Sequence, residues 1–391
     1  MARMIHRRSR RVAITLIASA VAVGLATAAP ASAANQAQLR DGCVWRTPDE
    51  KAAFIQTCTF RSPSLGRDVA VQIRASDRAA GDSEQAIYFL DGIGANNQFS
   101  TWALPDSGAL NAYSKHVNLV LPAGGAGEWM TNWKAPIAGP NSAGTAPQWD
   151  TFIGSELPAY LNAKFSVQKK NNAIAGVSMS AGPAMILALN HPDVFTTVRA
   201  FSGYYQTDNP VGWILIPYIQ KDRAGITNGG TAMWGAPLSP GNTWGANDVG
   251  KRLGELRGNG QTALVSVGNG ILSQRESDFV LKYGISNIPG VVFTIATGVT
   301  LESTAMTSTV ALNVQSALIG APVKFSYVTG SHDFYAWAEA VKADAATLEK
   351  VLADARTKPG NTPTTTTTKT ATATTTTPAS STTTTTTKPV P

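Results

Sequence analysis

Six short apolar runs, at residues 69–73, 86–90, 117–121, 172–176, 262–267 and 323–328, each break off into a loop. The first alternates at period two and follows the turn-like Ser62-Pro63-Ser64-Leu65-Gly66. The fourth leads into a helical stretch at residues 181–189. Short apolar strands with helical segments between them predict an α/β chain whose mostly parallel central sheet is flanked by helices on both faces. No internal repeat interrupts this order. In such sheets ligands bind beyond the carboxyl ends of the strands, and Asp91, Ser178 and His332 each stand just after a predicted strand.

The two ends of the chain fall outside the pattern. Residues 1–11 carry five arginines and no acid, residues 12–28 are almost wholly apolar, and Ala31-Ser32-Ala33 supplies the small residues of a cleavage site. Residues 1–33 therefore read as a secretory signal peptide. The apolar run is close to spanning length, so a retained anchor is the competing reading, and the A-x-A ending favours cleavage. Residues 358–391 are mostly threonine with proline, alanine, serine and lysine. Such a tract cannot build a core and is expected to be a disordered tail, a stalk that spaces the domain from a surface. Residues 34–357 remain as one domain, and a chain with 43% hydrophobic residues has ample material for its core.

Removing the leader changes the charge argument. The formal charge of +7 falls to +2, with 27 basic against 25 acidic residues. No basic stripe with interleaved aromatics is present, so nucleic-acid binding is excluded. Cys43 and Cys58 are the only cysteines. Export permits a disulfide between them, which would close a short loop and contribute about 3 kcal/mol; two unpaired buried thiols are the alternative. Neither cysteine has zinc-type spacing to other ligands, so no metal is expected, and no other cofactor.

The chemistry concentrates at Gly176-Val177-Ser178-Met179-Ser180, between the fourth strand and its helix. This is the setting of a nucleophile elbow, a sharp turn that tolerates only small neighbours around the serine. Gly176 fits; Ser180 stands where the commoner pattern has glycine. The helix N-terminus would direct backbone N–H groups at a developing oxyanion. Of four histidines, His6 lies in the leader and His116 precedes the serine, against the order serine, acid, histidine of this arrangement. His191, thirteen residues along a helix, would sit about 20 Å away. His332, in a loop after the last strand, is left as the general base. The acid should lie between Ser178 and His332, and Glu276, Asp278 and Glu302 all qualify; Asp333, beside the base, reads as a loop carboxylate.

With these residues in place the chain resembles the antigen 85 mycolyltransferase family and its corynebacterial mycoloyltransferase relatives. The similarity runs through Ser62-Pro63-Ser64-Leu65-Gly66-Arg67-Asp68, Leu90-Asp91-Gly92, Pro122 with Gly124-Gly125, and Trp149-Asp150-Thr151-Phe152. It continues through Ser155-Glu156-Leu157-Pro158, the elbow itself, His191-Pro192, Met233-Trp234-Gly235, Gly268-Asn269-Gly270 and Ser331-His332. The resemblance implies an α/β-hydrolase fold and transfer of a mycoloyl group from trehalose monomycolate, through a Ser178 acyl-enzyme, to a sugar hydroxyl of trehalose or cell-wall arabinan. It implies Glu302 as the acid, which leaves Glu276 and Asp278 as solvated carboxylates. It implies the Met179 and Ile93 N–H groups as oxyanion donors and Asp91 as a trehalose-binding carboxylate. The partners it implies are a mycolate glycolipid donor and a sugar acceptor, with the protein secreted or associated with the cell envelope. Three positions depart from the family pattern. Gly94 replaces a sugar-contacting arginine, Pro105 an asparagine, and Phe334 the tryptophan two residues after the base.

An exported carboxylesterase with the same triad is the alternative, since water competes with the sugar at the second step. A non-catalytic adhesin on this fold is disfavoured because Ser178 and His332 are both retained. Gly268-Asn269-Gly270 lacks a P-loop lysine and a full dinucleotide fingerprint, so a nucleotide site is excluded.

Overall fold

A computed structural model describes residues 35–78, 84–104, 109–140, 144–283 and 288–357. The expected signal peptide, the threonine-rich tail and Pro105 lie outside the described residues. The strands are β1 (Cys43–Val44), β2 (Ile55–Ser62), β3 (Arg67–Arg74), β4 (Ala86–Leu90), β5 (Asn118–Pro122), β6 (Asn172–Val177), β7 (Phe195–Phe201), β8 (Thr262–Gly268) and β9 (Val323–Val328). Among the described residues they form one nine-stranded sheet, ordered β1-β2-β3-β5-β4-β6-β7-β8-β9. From β5 onward the pairings are parallel, while β1, β2 and β3 pair antiparallel at one end.

The parallel centre is buried on both faces, as its uninterrupted apolar sequence requires. Every residue of β4, β5 and β6 is buried. Their period-two alternation divides the core. Tyr88, Leu90, Val120 and Ile174 join one apolar cluster, while Ile87, Phe89, Leu119, Leu121, Ala173, Ala175 and Val177 join the other. The long helices are α1 (Leu157–Phe165), α2 (Ala181–Asn190), α3 (Pro210–Ala224), α4 (Gln274–Tyr283), α5 (Ile288–Ile319) and α6 (Phe334–Thr357). The first cluster packs on Met185 and Leu187 of α2, and the second on Val341, Leu348 and Leu352 of α6.

β1, β2 and β7 do not belong to the six runs read from the sequence. β7 reads Phe-Thr-Thr-Val-Arg-Ala-Phe, and its arginine breaks the apolar run. The structure buries that Arg199 completely and gives its two terminal nitrogens the Ala200 and Leu264 carbonyls, the Ser266 hydroxyl and Asp344 at 2.8 Å, while Nε has no acceptor among the described residues. β1 is two residues long, and Cys43 stands opposite Cys58 of β2, to which it is disulfide-bonded. The 62–66 segment is the expected turn: Gly66, at φ +65°, donates its N–H to the Pro63 carbonyl at 3.3 Å.

The strand order places the site. The chain steps from β4 to β5 on one side, then crosses back over β4 to β6 and continues the other way to β7. Loops leaving β4 and β6 therefore diverge, and a crevice opens between their carboxyl ends. Gly92 follows β4 and Ser178 follows β6 at that point.

Candidate active site

β6 ends at Val177, and Ser178 turns the chain into α2 with a φ of +54°. A serine in the left-handed region is strained by about 1–3 kcal/mol, and the surrounding structure has to hold it there. Two glycines make the turn possible. A side chain at Gly176 would run into the Ser180 carbonyl, and one at Gly182 into the Tyr204 carbonyl. Ser180, the departure from the usual pattern, has its own function in the turn. Its hydroxyl oxygen accepts the Val177 N–H at 2.9 Å and lies 3.1 Å from both the Val177 and Leu90 carbonyls, to one of which it donates. A buried hydroxyl thus fastens the elbow to the end of β4, where a glycine would leave those groups to the backbone alone.

His332 follows β9 in a loop, and its side chain is only 5% exposed. Ser178 Oγ lies 2.7 Å from His332 Nε2, and Glu302 Oε2 lies 2.6 Å from His332 Nδ1. The carboxylate fixes the tautomer: Nδ1–H donates to Glu302, which leaves the Nε2 lone pair to accept the Ser178 proton. Glu302 is fully buried, so its remaining lone pairs need donors. Oε1 accepts the Ser202 hydroxyl at 2.7 Å and the Gly268 N–H. Glu302 does not follow a strand; it stands in the middle of α5. A helix of 32 residues crosses beside the carboxyl ends of β7 and β8, and the donors are the residue just after β7 and the last residue of β8.

The other candidates separate from this relay. Asp278 is exposed and accepts from the Gln274 amide at 2.9 Å. Glu276 is 2% exposed, not the solvated carboxylate expected, and it accepts from Ser331, the residue before the base. Asp333 caps α6 by accepting the Tyr335 and Ala336 N–H groups. His191 sits 2.8 Å from Asp150, and His116 sits 2.6 Å from Asp77.

Gly92 lies against the elbow: a side-chain carbon there would stand 3.5 Å from Ser178 Cβ. The Gly92–Ile93 turn and the Ser178–Met179 turn are therefore neighbours across the crevice. Asp91 is only 1% exposed. Its carboxylate accepts the Ser100 hydroxyl and the Thr101 N–H, all at 3.1 Å. Burial pushes its pKa up to about 7, against the lowering effect of bonds from Thr101, Ser100 and Trp102. Expected to bind a sugar, it holds its own loop in this structure. Gly94 has open space around it. Phe334 packs on Trp337, which supplies a tryptophan edge 5.0 Å from the His332 ring, five residues after the base.

A groove of about 690 Å³ runs between α3 and α5. Val211, Leu215, Ile216 and Ile219 form one wall, and Val299, Thr300, Ser303 and Thr304 form part of the other. The hydroxyls of Thr300, Ser303 and Thr304 donate to carbonyls four residues back on α5, which makes that wall compatible with an apolar occupant. Tyr204 lines the groove and its ring lies 6.5 Å from that of His332, so the groove opens beside the relay. Sequence reasoning missed Ser202, Gly268, Tyr204 and Trp337. Ser273-Gln274-Arg275-Glu276 is a capping-box string that would have singled out Glu276.

The Esterase family model matches residues 62–348. The diacylglycerol acyltransferase/mycolyltransferase Ag85B of Mycobacterium avium is 32% identical over 213 residues, 54% of this chain and 62% of that protein. Ag85A of Mycobacterium tuberculosis, of the same description, is 31% identical over 263 residues, 67% of this chain and 72% of that protein. The matched part of the chain thus spans less than two thirds of the M. avium relative's length. The crystal structure of Mycobacterium tuberculosis MPT51 (FbpC1) superposes with a TM-score of 0.60 at 25% identity, covering 76% of this chain and 98% of that one.

Proposed function

This chain belongs to the esterase family and to the antigen 85 mycolyltransferase group, and on that premise we propose that it is an exported acyltransferase. It moves a mycoloyl group from trehalose monomycolate, through an acyl-enzyme on Ser178, to a sugar hydroxyl. The observation that carries this reading is the relay Ser178–His332–Glu302, with bonds of 2.7 and 2.6 Å and the acid fully buried.

In the first step Ser178 Oγ attacks the ester carbonyl carbon while its proton passes to His332 Nε2. Glu302 stabilises the imidazolium that forms. The carbonyl oxygen becomes negative, and the Ile93 and Met179 N–H groups are the donors proposed for it. Collapse breaks the bond to the sugar oxygen, which leaves with the proton from His332. In the second step an acceptor hydroxyl gives its proton to His332 and attacks the acyl carbon, and Ser178 leaves with that proton. The groove beside Tyr204 takes the acyl chain, where apolar contact supplies binding without fixing chain length. Water is the rival acceptor, so transfer requires a sugar hydroxyl held in better position than water. Contact between that sugar and Asp91 would require the Ser100–Thr101 segment to release its hydrogen bonds.

Export is supported by the disulfide and by the leader-like residues 1–33. Incubation of the protein with trehalose monomycolate, following dimycolate, cell-wall-linked mycolate and free mycolate, tests the reading. Dimycolate or wall-linked product supports transfer, and free mycolate alone moves the assignment to a carboxylesterase. Ser178→Ala should abolish both products and labelling by a serine-directed phosphonate while the protein stays folded. Persistent labelling in that variant would sink the nucleophile assignment.

A further inference from the structure

Glu276 is a buried carboxylate with no part in the relay, and its bonds lead to the base. It lies in the first turn of α4, three residues after Ser273. Glu276 Oε2 accepts the Ser273 N–H at 2.6 Å, and Ser273 Oγ accepts the Glu276 N–H at 3.3 Å, the reciprocal pair of a capping box. That engages one carboxylate oxygen. The other, Oε1, accepts both the N–H and the hydroxyl of Ser331, at 2.9 and 2.5 Å. A side-chain carbon at Gly298 of α5 would stand 3.1 Å from Ser331 Oγ, so Ser331 is held between α4 and α5.

The residue on the other side of the base completes the arrangement. Asp333 Oδ1 accepts the Tyr335 and Ala336 N–H groups at 2.8 and 3.0 Å, which fixes the loop to the first turn of α6 on that side. His332 is thus flanked on one side by a residue bonded to a buried carboxylate of α4, a helix that carries neither Ser178 nor Glu302, and on the other by the residue that caps α6. Burial opposes ionisation of Glu276, but the bonds from Ser273 and Ser331 outweigh it and hold its pKa below the ordinary value. Burial first, then the neighbouring Glu276 charge, pushes Asp333 up to about 7.

The other charged groups on the packed elements have their own partners. On α4, Arg275 lies over the Tyr335 ring at 5.2 Å and 3.5 Å from Glu339, and Asp278 accepts from Gln274. On α6, Glu339 also pairs with Lys342 at 2.9 Å. On α5, Glu302 faces His332.

We propose that Glu276 is a positioning residue for His332, holding the base loop through its two bonds to Ser331. The proposal rests on the reading of His332 as the general base. Without the Glu276–Ser331 bonds, the loop that keeps Nε2 near Ser178 Oγ loses its anchor on α4. A displacement near 1 Å at the reacting groups costs about 10²-fold in rate.

Turnover of a soluble 4-nitrophenyl acyl ester, measured from pH 5 to 9 on the mature protein, tests this without involving the natural donor. Glu276→Gln keeps the shape, but its NH2 group cannot accept, so either Ser273 or Ser331 loses a partner. The expected result is a kcat lowered about ten- to hundredfold with KM little changed. If Glu276→Gln fails to fold by circular dichroism, Ser331→Ala reads the same contact with the capping box intact, and its kcat should fall about tenfold. Wild-type kcat in the folded Glu276 or Ser331 variant overturns the proposal. A wild-type protein that neither turns over the ester nor takes a phosphonate label instead refutes the site, and the clamp falls with it.

Discussion

The Ser202 hydroxyl donates to Glu302 Oε1 across 2.7 Å, while its oxygen receives the Trp337 indole N–H at 2.9 Å. Ser202 is held at φ +49° just past β7, and Trp337 packs its edge on the His332 ring. The acid and the base are thus oriented by one hydroxyl and one indole that bond to each other. A bond to a buried charge is worth about 1.5–3 kcal/mol. Ser202→Ala should therefore lower kcat about ten- to hundredfold. Glu302→Gln removes the charge itself and should lower it by about 10²–10⁴-fold. Asp278→Asn, on an exposed carboxylate, should stay near wild type. Ester-hydrolysis kinetics on the three variants check the ordering; near-normal turnover in Glu302→Gln would remove it from the relay.

The elbow and the base were legible in the sequence because each has a local signature. Gly176 and Ser178 lie at a strand end, and His332 is the one histidine left in the right chain order. The acid was not legible from its neighbourhood. Leu301-Glu302-Ser303 sits inside a helix with nothing local to mark it, and Glu302 is identified by donors at Ser202 and Gly268, which lie 100 and 34 residues before it. The strand that delivers Ser202 was missed for a related reason. Arg199 looks solvent-facing in a linear reading, and only Asp344 and three further acceptors make its burial tolerable. The central parallel strands posed no such difficulty, because burial on both faces leaves continuous apolar runs. The Ser331–Glu276 contact spans 55 residues and joins the first turn of α4 to the loop after β9, whose order in space follows only from the sheet.

The Cys43–Cys58 bond joins a two-residue edge strand to β2, closing a separation of 15 residues with both partners buried. The strand has too few ladder bonds to hold itself against the sheet, so the covalent link substitutes for length. Titration of the denatured, unreduced mature protein should find no free thiol. Reduction should lower the unfolding free energy by about 3 kcal/mol, as expected for a loop of this size. Two titratable thiols in the unreduced protein, or a denaturation midpoint indifferent to reductant, would contradict the structure.

Asp91 supplies a pH dependence with a definite sign. Burial raises its pKa from 3.8 in the ordinary carboxylate to about 7 in the fold. Below pH 4 the group is protonated in both folded and unfolded chains, and it costs nothing. Between about pH 4 and 7 the unfolded chain releases its proton first, so the native state binds more protons and stability falls as pH rises. Above about pH 7 both states are ionised and the full cost remains, on the order of 4 kcal/mol for a shift of this size. Asp333 contributes in the same direction and the salt-bridged carboxylates in the opposite one, so the wild-type curve alone is a composite. The difference between Asp91→Asn and wild type cancels those shared contributions. An asparagine cannot ionise, so the melting temperature of the variant relative to wild type should rise by several degrees from pH 4 to 7 and then level off. The absolute offset depends on how the amide replaces the bonds to Ser100 and Thr101, but the slope depends only on the titration. Thermal melts of both proteins at intervals from pH 4 to 8 measure it, and a difference that is flat across that range would show that Asp91 is ionised in the fold at all of them.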